Sequence, residues 1–542
     1  MATDVTRERV MHAVLERQAA KYGDRAFMYF EERVYSYQGL NQQANHVASG
    51  LQKLGIVKGD KVAIVMDNCP EFIFTIYGLS KLGAVQVSIN TAHKGDILNY
   101  LLDLSESRIV IAHTHYMDRI QPVLARLPKV HTVVLLDKAL GPSAEGHSAV
   151  SSELEKLGKR VMDWSELVDN DANYEPADVI FSDPYSIMFT SGTTGPSKGA
   201  LTSHNLVYSV TERLCNASGL NEQDFFYNFF PLFHNSGQIT STALAVTCGA
   251  QMFLIERFSP SRFWDDVKRF NCTQFCYTGS VLPMLFKPES RPDDADNSLR
   301  IGLGGGAPKN IFSEFEKRFG LTLLEFYGTS ECGIPLVSDL KNRKPGSCGI
   351  VHPDYNVKVV DDNGLEVGPN TPGEVLTRPV RPYVTMQEFY RMPEKTVEFF
   401  RDLWLHTGDY LYYDNDGFFY FFDRKKDYLR RRGENISSFE VEKAISSHPA
   451  VLECAVVATK SELGEDEVLA CLQLKPEQRL EALDLIKYCE DKIAYFMVPR
   501  YVRILEAMPK TATMRVEKYR LREEGITPDT WDREKAGYKL KR

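Results

Sequence analysis

The chain has 542 residues, 43% of them hydrophobic, and its 64 basic and 73 acidic side chains leave a net charge of −9. That length allows roughly three or four domain-sized units, and the mildly acidic balance excludes whole-chain attraction to nucleic acid or an anionic membrane, so polyanion binding must be local. The first residues hold no apolar signal region, no stretch approaches the roughly 18 apolar residues of a membrane helix, and the ten scattered cysteines read as reduced thiols, which together predict a cytoplasmic protein.

From residue 61 the pattern alternates. Strands are predicted at 62–66, 84–89, 108–112 and 132–136, with helices over 70–82 and about 95–104 between them. Strands alternating with helices indicate parallel sheet covered on both faces. Residues 139–160, rich in Ser, Gly, Glu and Lys, read as a surface excursion. Alternation resumes with strands at 250–255 and 272–277 around a helix near 261–270, and the glycine run Gly302 to Gly306 opens a helix through Pro308. Residues 346–422 carry short strands, turn signals and no long helix, as in a small β-rich subdomain. The charge run 423–432 reads as an interdomain linker. Beyond it Ser437, Ser438 and Glu440 make a capping box, followed by strands at 453–458 and 467–473, a helix near 481–495 and a strand at 501–505. The fold class expected is α/β: a large N-terminal domain (1–423) of αβ-layered subdomains plus a β-rich one, a hinge segment (424–432), and a compact α+β C-terminal domain (433–542).

The most informative stretch runs from Thr190 to Gly199, Thr-Ser-Gly-Thr-Thr-Gly-Pro-Ser-Lys-Gly, directly after the apolar residues Ile187, Met188 and Phe189. Glycines that let backbone N–H groups approach an anion, hydroxyl donors and one lysine together suit a polyphosphate. A Walker A loop is excluded, because Ser197 stands five residues after Gly192 and Gly199 follows Lys198.

That decapeptide resembles the phosphate loop of the adenylate-forming superfamily, whose members include acyl-CoA synthetases, luciferases and peptide-synthetase adenylation domains. Four further segments resemble superfamily motifs in the same order. Residues 59–63 and 67–74 are especially similar to crotonobetaine/carnitine-CoA ligases. The resemblance implies that Thr190, Ser191, Gly192, Thr193, Thr194, Gly195 and Lys198 hold the phosphates of ATP. It also implies that Gly305, Gly306 and Ala307, with Glu325, Phe326, Tyr327, Gly328 and Thr329, build the nucleotide pocket. In that pocket Tyr327 stacks on adenine and Thr329 reaches the α-phosphate. Glu331 and Thr190 would hold Mg²⁺ through oxygen, Asp409 would grip both ribose hydroxyls, and Arg424 would reach ribose and phosphate.

His234, in Pro231 to Gly237, matches an aromatic gate beside the carboxylate pocket, with Phe233, Tyr277, Thr278 and Gly304 as further pocket residues. Gly433 matches a glycine lining the tunnel for coenzyme A. Arg430, Arg431 and Arg432 either meet the phosphates of CoA or are solvated. Lys426 matches the hinge about which the C-terminal domain turns between half-reactions.

The implied reaction is carboxylate plus MgATP to acyl-AMP and pyrophosphate, then CoA to acyl-CoA and AMP, with no covalent enzyme intermediate. One position departs from the family. Where its members carry a catalytic lysine, this chain has Arg515, with Lys518 as the fallback. The alternatives are transfer of the acyl group to a carrier protein or to oxygen, and a nucleotide-binding homologue with an impaired site. A homodimer stays open.

Overall fold

The structure, a computed structural model, describes residues 5–137, 153–190, 197–279, 281–307, 309–361, 363–424, 428–431, 434–460, 465–509, 516 and 518–541. The chain divides into two compact units. One comprises Met1–Thr91, Leu101–Phe189 and Gly199–Asp423, the other Ala92–Tyr100, Thr190–Lys198 and Arg424–Arg542. Among the described residues no helix is long and apolar enough to cross a membrane.

Two large sheets organise the first unit. The eight-stranded one runs, in spatial order, through Glu388–Phe389, Lys198–Ser203, Pro184–Thr190, Val85–Ser88, Lys61–Val65, Ile109–His113, Thr132–Leu136 and Arg160–Asp163. Its centre is parallel, with Val62 beside both Gln86 and Ile109. These strands read as unbroken apolar runs because helices cover both faces, and every residue of Ile109–His113 and Thr132–Leu136 is buried. Pro70 opens the helix Pro70–Lys81, where its missing N–H costs nothing.

The nine-stranded sheet runs through Ile350–Val351, Gly333–Val337, Thr322–Thr329, Ile301–Gly305, Gln274–Thr278, Phe225–Asn228, Gln251–Leu254, Ala26–Phe30 and Arg33–Ser36. Tyr355–Val360, Gly373–Pro379, Leu405–Tyr413 and Phe419–Arg424 form the small four-stranded sheet expected after residue 346. The fold is therefore the α/β class expected.

In the second unit the four-stranded sheet of Val451–Lys460, Asp466–Leu474, Tyr501–Leu505 and Trp531–Asp532 packs with the helices Ser438–Ser446 and Ala482–Glu490 around Val456, Ala470, Ile486 and Val502. Part of the charge run is structured here. Tyr428–Arg431 pairs with Glu434–Ser437, and Arg431 is buried on Glu467 at 2.8 Å while donating to the carbonyls of Phe496 and Val498. It is neither solvated nor free to meet a CoA phosphate.

The reading of ten reduced thiols is corrected. Cys215, in the helix His204–Ser218, and Cys248, at the end of Leu244–Cys248, form a disulfide, and eight cysteines are free. Composition could not reveal a pair separated by 33 residues and joined by two packed helices.

Candidate active site

The strand Thr322–Thr329 places several of the expected nucleotide residues along one line. Glu325 points inward, and its Oε1 accepts the Ala307 N–H at 2.7 Å, so the carboxyl fixes the backbone where the glycine run ends. Burial raises its pKa to about 8, although the amides of Ala307 and Gly306 favour the charged form. A carboxyl whose folded pKa lies above the unfolded value stabilises fully below about 4.5 and loses that contribution as pH rises through about 8. Glu325→Gln, which keeps the acceptor but not the titration, is expected to flatten that fall. The slope at issue is at most about 1.4 kcal/mol per pH unit. Denaturant midpoints of both proteins from pH 5 to 9 check this, and parallel profiles would refute it.

Tyr327 and Asp409, 82 residues apart, meet here: the phenol donates to Asp409 Oδ2 at 2.8 Å. Both are buried, and the Tyr327 ring sits in an apolar cluster with Leu336, Val359, Val375 and Leu411. The Asp409 N–H donates to Thr407, whose hydroxyl reaches the Val375 carbonyl, so the ribose candidate is held from two sides. Thr329 Oγ1 accepts from the N–H groups of Glu331 and Cys332, each at 3.2 Å, fixing the turn that presents Glu331. Gly328 is exposed and Phe326 half-buried.

Ser330, absent from the expected set, accepts a 2.7 Å hydrogen bond from Asn235 Nδ2. This ties the Glu331 turn to the segment carrying Phe233 and His234, both half-buried. That segment is braced further. Asn68 accepts the Leu232 N–H at 2.7 Å and donates to the carbonyls of Phe230 and Ile255, while Gln238 bonds Gln86 and the Leu232 carbonyl. Gly237 is required, since a Cβ there would lie 2.4 Å from the Pro231 oxygen. Spacing alone gave no signal for Asn68, Asn235 or Gln238, since their partners Leu232, Ser330 and Gln86 lie 164, 95 and 152 residues away.

Tyr277 is a correction to the substrate set. Its side chain packs in the apolar cluster of Phe263, Phe275 and Phe312 and donates to the Leu324 carbonyl, because residues alternate across a strand and Tyr277 falls on the face opposite Thr278. Gly304 lies against it: a Cβ would sit 2.1 Å from the Tyr277 oxygen, so only glycine fits.

Thr190 and Lys198 bracket the phosphate loop, with Thr190 Oγ1 3.5 Å from the Lys198 carbonyl. Ser191, Gly192, Thr193, Thr194 and Gly195 lie outside the described residues, as do Lys426, Gly433, Arg515 and the side chain of Arg424. Lys518 Nζ is engaged, 2.6 Å from Glu442 Oε1 and 3.0 Å from Ser438 Oγ.

With this geometry stands a family match: AMP-binding enzymes match residues 15–386, and the AMP-binding enzyme C-terminal domain matches residues 440–515. The chain belongs to the AMP-binding enzyme family. A crotonobetaine/carnitine–CoA ligase of Salmonella choleraesuis is 30% identical to it over 520 residues, covering 93% of this chain and 97% of that protein. Among solved structures, an anthranilate CoA ligase in complex with anthranoyl-AMP is 26% identical with a TM-score of 0.70, covering 95% of this chain and 96% of that one. An o-succinylbenzoate CoA synthetase of Bacillus subtilis is 25% identical with a TM-score of 0.79, covering 94% and 98%. This AMP-binding enzyme is an acid–thiol ligase, an AMP-forming acid–CoA ligase whose substrates include ATP and CoA.

Proposed function

We propose that this acid–CoA ligase acts on a small or medium-sized carboxylic acid of the betaine type, with Mg²⁺, and that the residues described above divide the work. The Tyr327–Asp409 hydrogen bond carries the reading, because it joins two motifs into one ribose-binding corner. A carboxylate resists attack, since oxide would have to leave an already anionic group; adenylation gives it AMP as a leaving group.

Asp409 holds the ribose, the Glu325-fixed turn at Gly306 and Ala307 lines the adenine slot, and Lys198 steadies phosphate charge as an electrostatic catalyst. The half-buried Glu331, beside the hydroxyls of Thr329 and Ser330, offers only oxygen donors, which fits a hard cation. It would hold Mg²⁺, which when bound neutralises phosphate charge. The Asn235–Ser330 bond keeps the acid-binding segment in register with the Glu331 turn. Full-length similarity to the crotonobetaine/carnitine–CoA ligases supports the substrate class.

Release of AMP from ATP, dependent on CoA, Mg²⁺ and one acid of a panel including betaines, is the expected result. ADP and phosphate as products would overturn the reading, because the chemistry breaks the bond between the α- and β-phosphates.

A further inference from the structure

At the lysine end of the phosphate loop, every backbone and side-chain polar group of Ser197 is already engaged within its own compact unit. Its N–H donates to Glu440 Oε1 at 3.2 Å, its hydroxyl donates to the same oxygen, and its carbonyl accepts from the Tyr100 hydroxyl at 3.1 Å. Ser197 and Glu440 are both buried. Glu440 lies in the first turn of the helix Ser438–Ser446, where the sequence suggests a capping role; one of its oxygens is spent on the loop.

A loop built to offer N–H and O–H donors to phosphate oxygens here offers both Ser197 donors to a carboxylate oxygen. That oxygen is an acceptor of the same kind as a phosphate oxygen. Burial raises the Glu440 carboxyl above its ordinary range, while the Ser197 donors and Lys443 hold it down.

We propose that Glu440 is an internal phosphate surrogate, occupying the Ser197 donors beside Lys198 until a nucleotide polyphosphate displaces it. This deepens the ligase reading and rests on its assignment of the phosphate loop. The latch thereby opposes ATP entry and releases it in proportion to how well the triphosphate competes.

The test is calorimetric binding of Mg²⁺–α,β-methylene-ATP, an analogue whose α–β bond is not hydrolysed, to the full-length protein. A competent loop populated a tenth to a third of the time weakens apparent affinity by roughly three- to tenfold. Glu440→Ala is expected to lower Kd by about that factor, and Glu440→Gln, a weaker acceptor, to lower it less. In a Ser197→Ala background the gain from Glu440→Ala should shrink, because the contested hydroxyl is gone. Kd unchanged or raised in Glu440→Ala, with a melting temperature like wild type, overturns the proposal. If Glu440→Ala does not fold, an unchanged or raised Kd in Glu440→Gln does the same. Binding is read without an acid or CoA, so a failure of the ligase reading, seen as no AMP release by wild type, is distinguishable.

Discussion

Asp409→Asn is expected to raise the KM for ATP about a hundredfold without unfolding the protein, the loss of two charge-assisted hydrogen bonds of roughly 1.5 kcal/mol or more each. The carboxylate can accept from two hydroxyls, as the vicinal pair of a ribose presents them, whereas an amide has one acceptor oxygen and turns donors toward the second hydroxyl. The fold should tolerate the change because Asn keeps the volume and retains an oxygen for Tyr327. Burial and Asp409 itself keep the Tyr327 phenol well above its ordinary pKa, so it stays a donor. Tyr327→Phe removes only the group that orients Asp409 and should cost about tenfold, one neutral-to-charged bond. AMP release at varied ATP measures both. A folded Asp409→Asn with the KM of wild type would remove Asp409 from the nucleotide site.

The strands were legible because burial on both faces writes itself as a run of apolar residues. Thr132–Leu136 and Tyr501–Leu505 fall where the runs place them, and Lys61–Val65 is offset by one residue. The helices Met11–Tyr22 and Tyr37–Lys53 were not read, since the alternation that guided the reading begins at residue 61; Asn41, Asn45 and Gln52 interrupt the apolar pattern of the second. In the candidate site, residues inside contiguous motifs can be proposed from the sequence, and the fold brings Tyr327 and Asp409 of two such motifs together. Their supports cannot be proposed in that way. Asn68 acts on Leu232 and Asn235 on Ser330 across 164 and 95 residues, and only the tertiary fold makes them neighbours. Tyr277 shows the opposite failure: the motif is in place, but strand alternation turns the ring into the core.

The same distinction between motif and placement bears on the C-terminal departure. Arg515→Ala is expected to slow adenylation by on the order of 10²–10³, the usual loss when a preorganised contact to developing charge is removed. Thioester formation from supplied acyl-AMP should be spared, because the carboxylate and α-phosphate that Arg515 would bridge are by then already joined. Lys518 opens the helix Lys518–Glu524 and is held by Glu442 and Ser438, and Glu442 Oε1 also accepts the Val456 N–H at 2.7 Å. A lysine so placed pins its own helix to the helix Ser438–Ser446. Lys518→Ala should therefore lower the melting temperature, through loss of a charged hydrogen bond of roughly 1.5–3 kcal/mol, while most adenylation is retained. As the catalytic residue, Arg515 would keep the positive charge of a lysine, and a guanidinium's planar fork would engage both anions at once. Pyrophosphate exchange and single-turnover thioester formation, run on both variants beside a thermal melt, separate the roles. Abolished exchange in a thermally unchanged Lys518→Ala, with exchange kept in Arg515→Ala, would transfer the catalytic duty to Lys518.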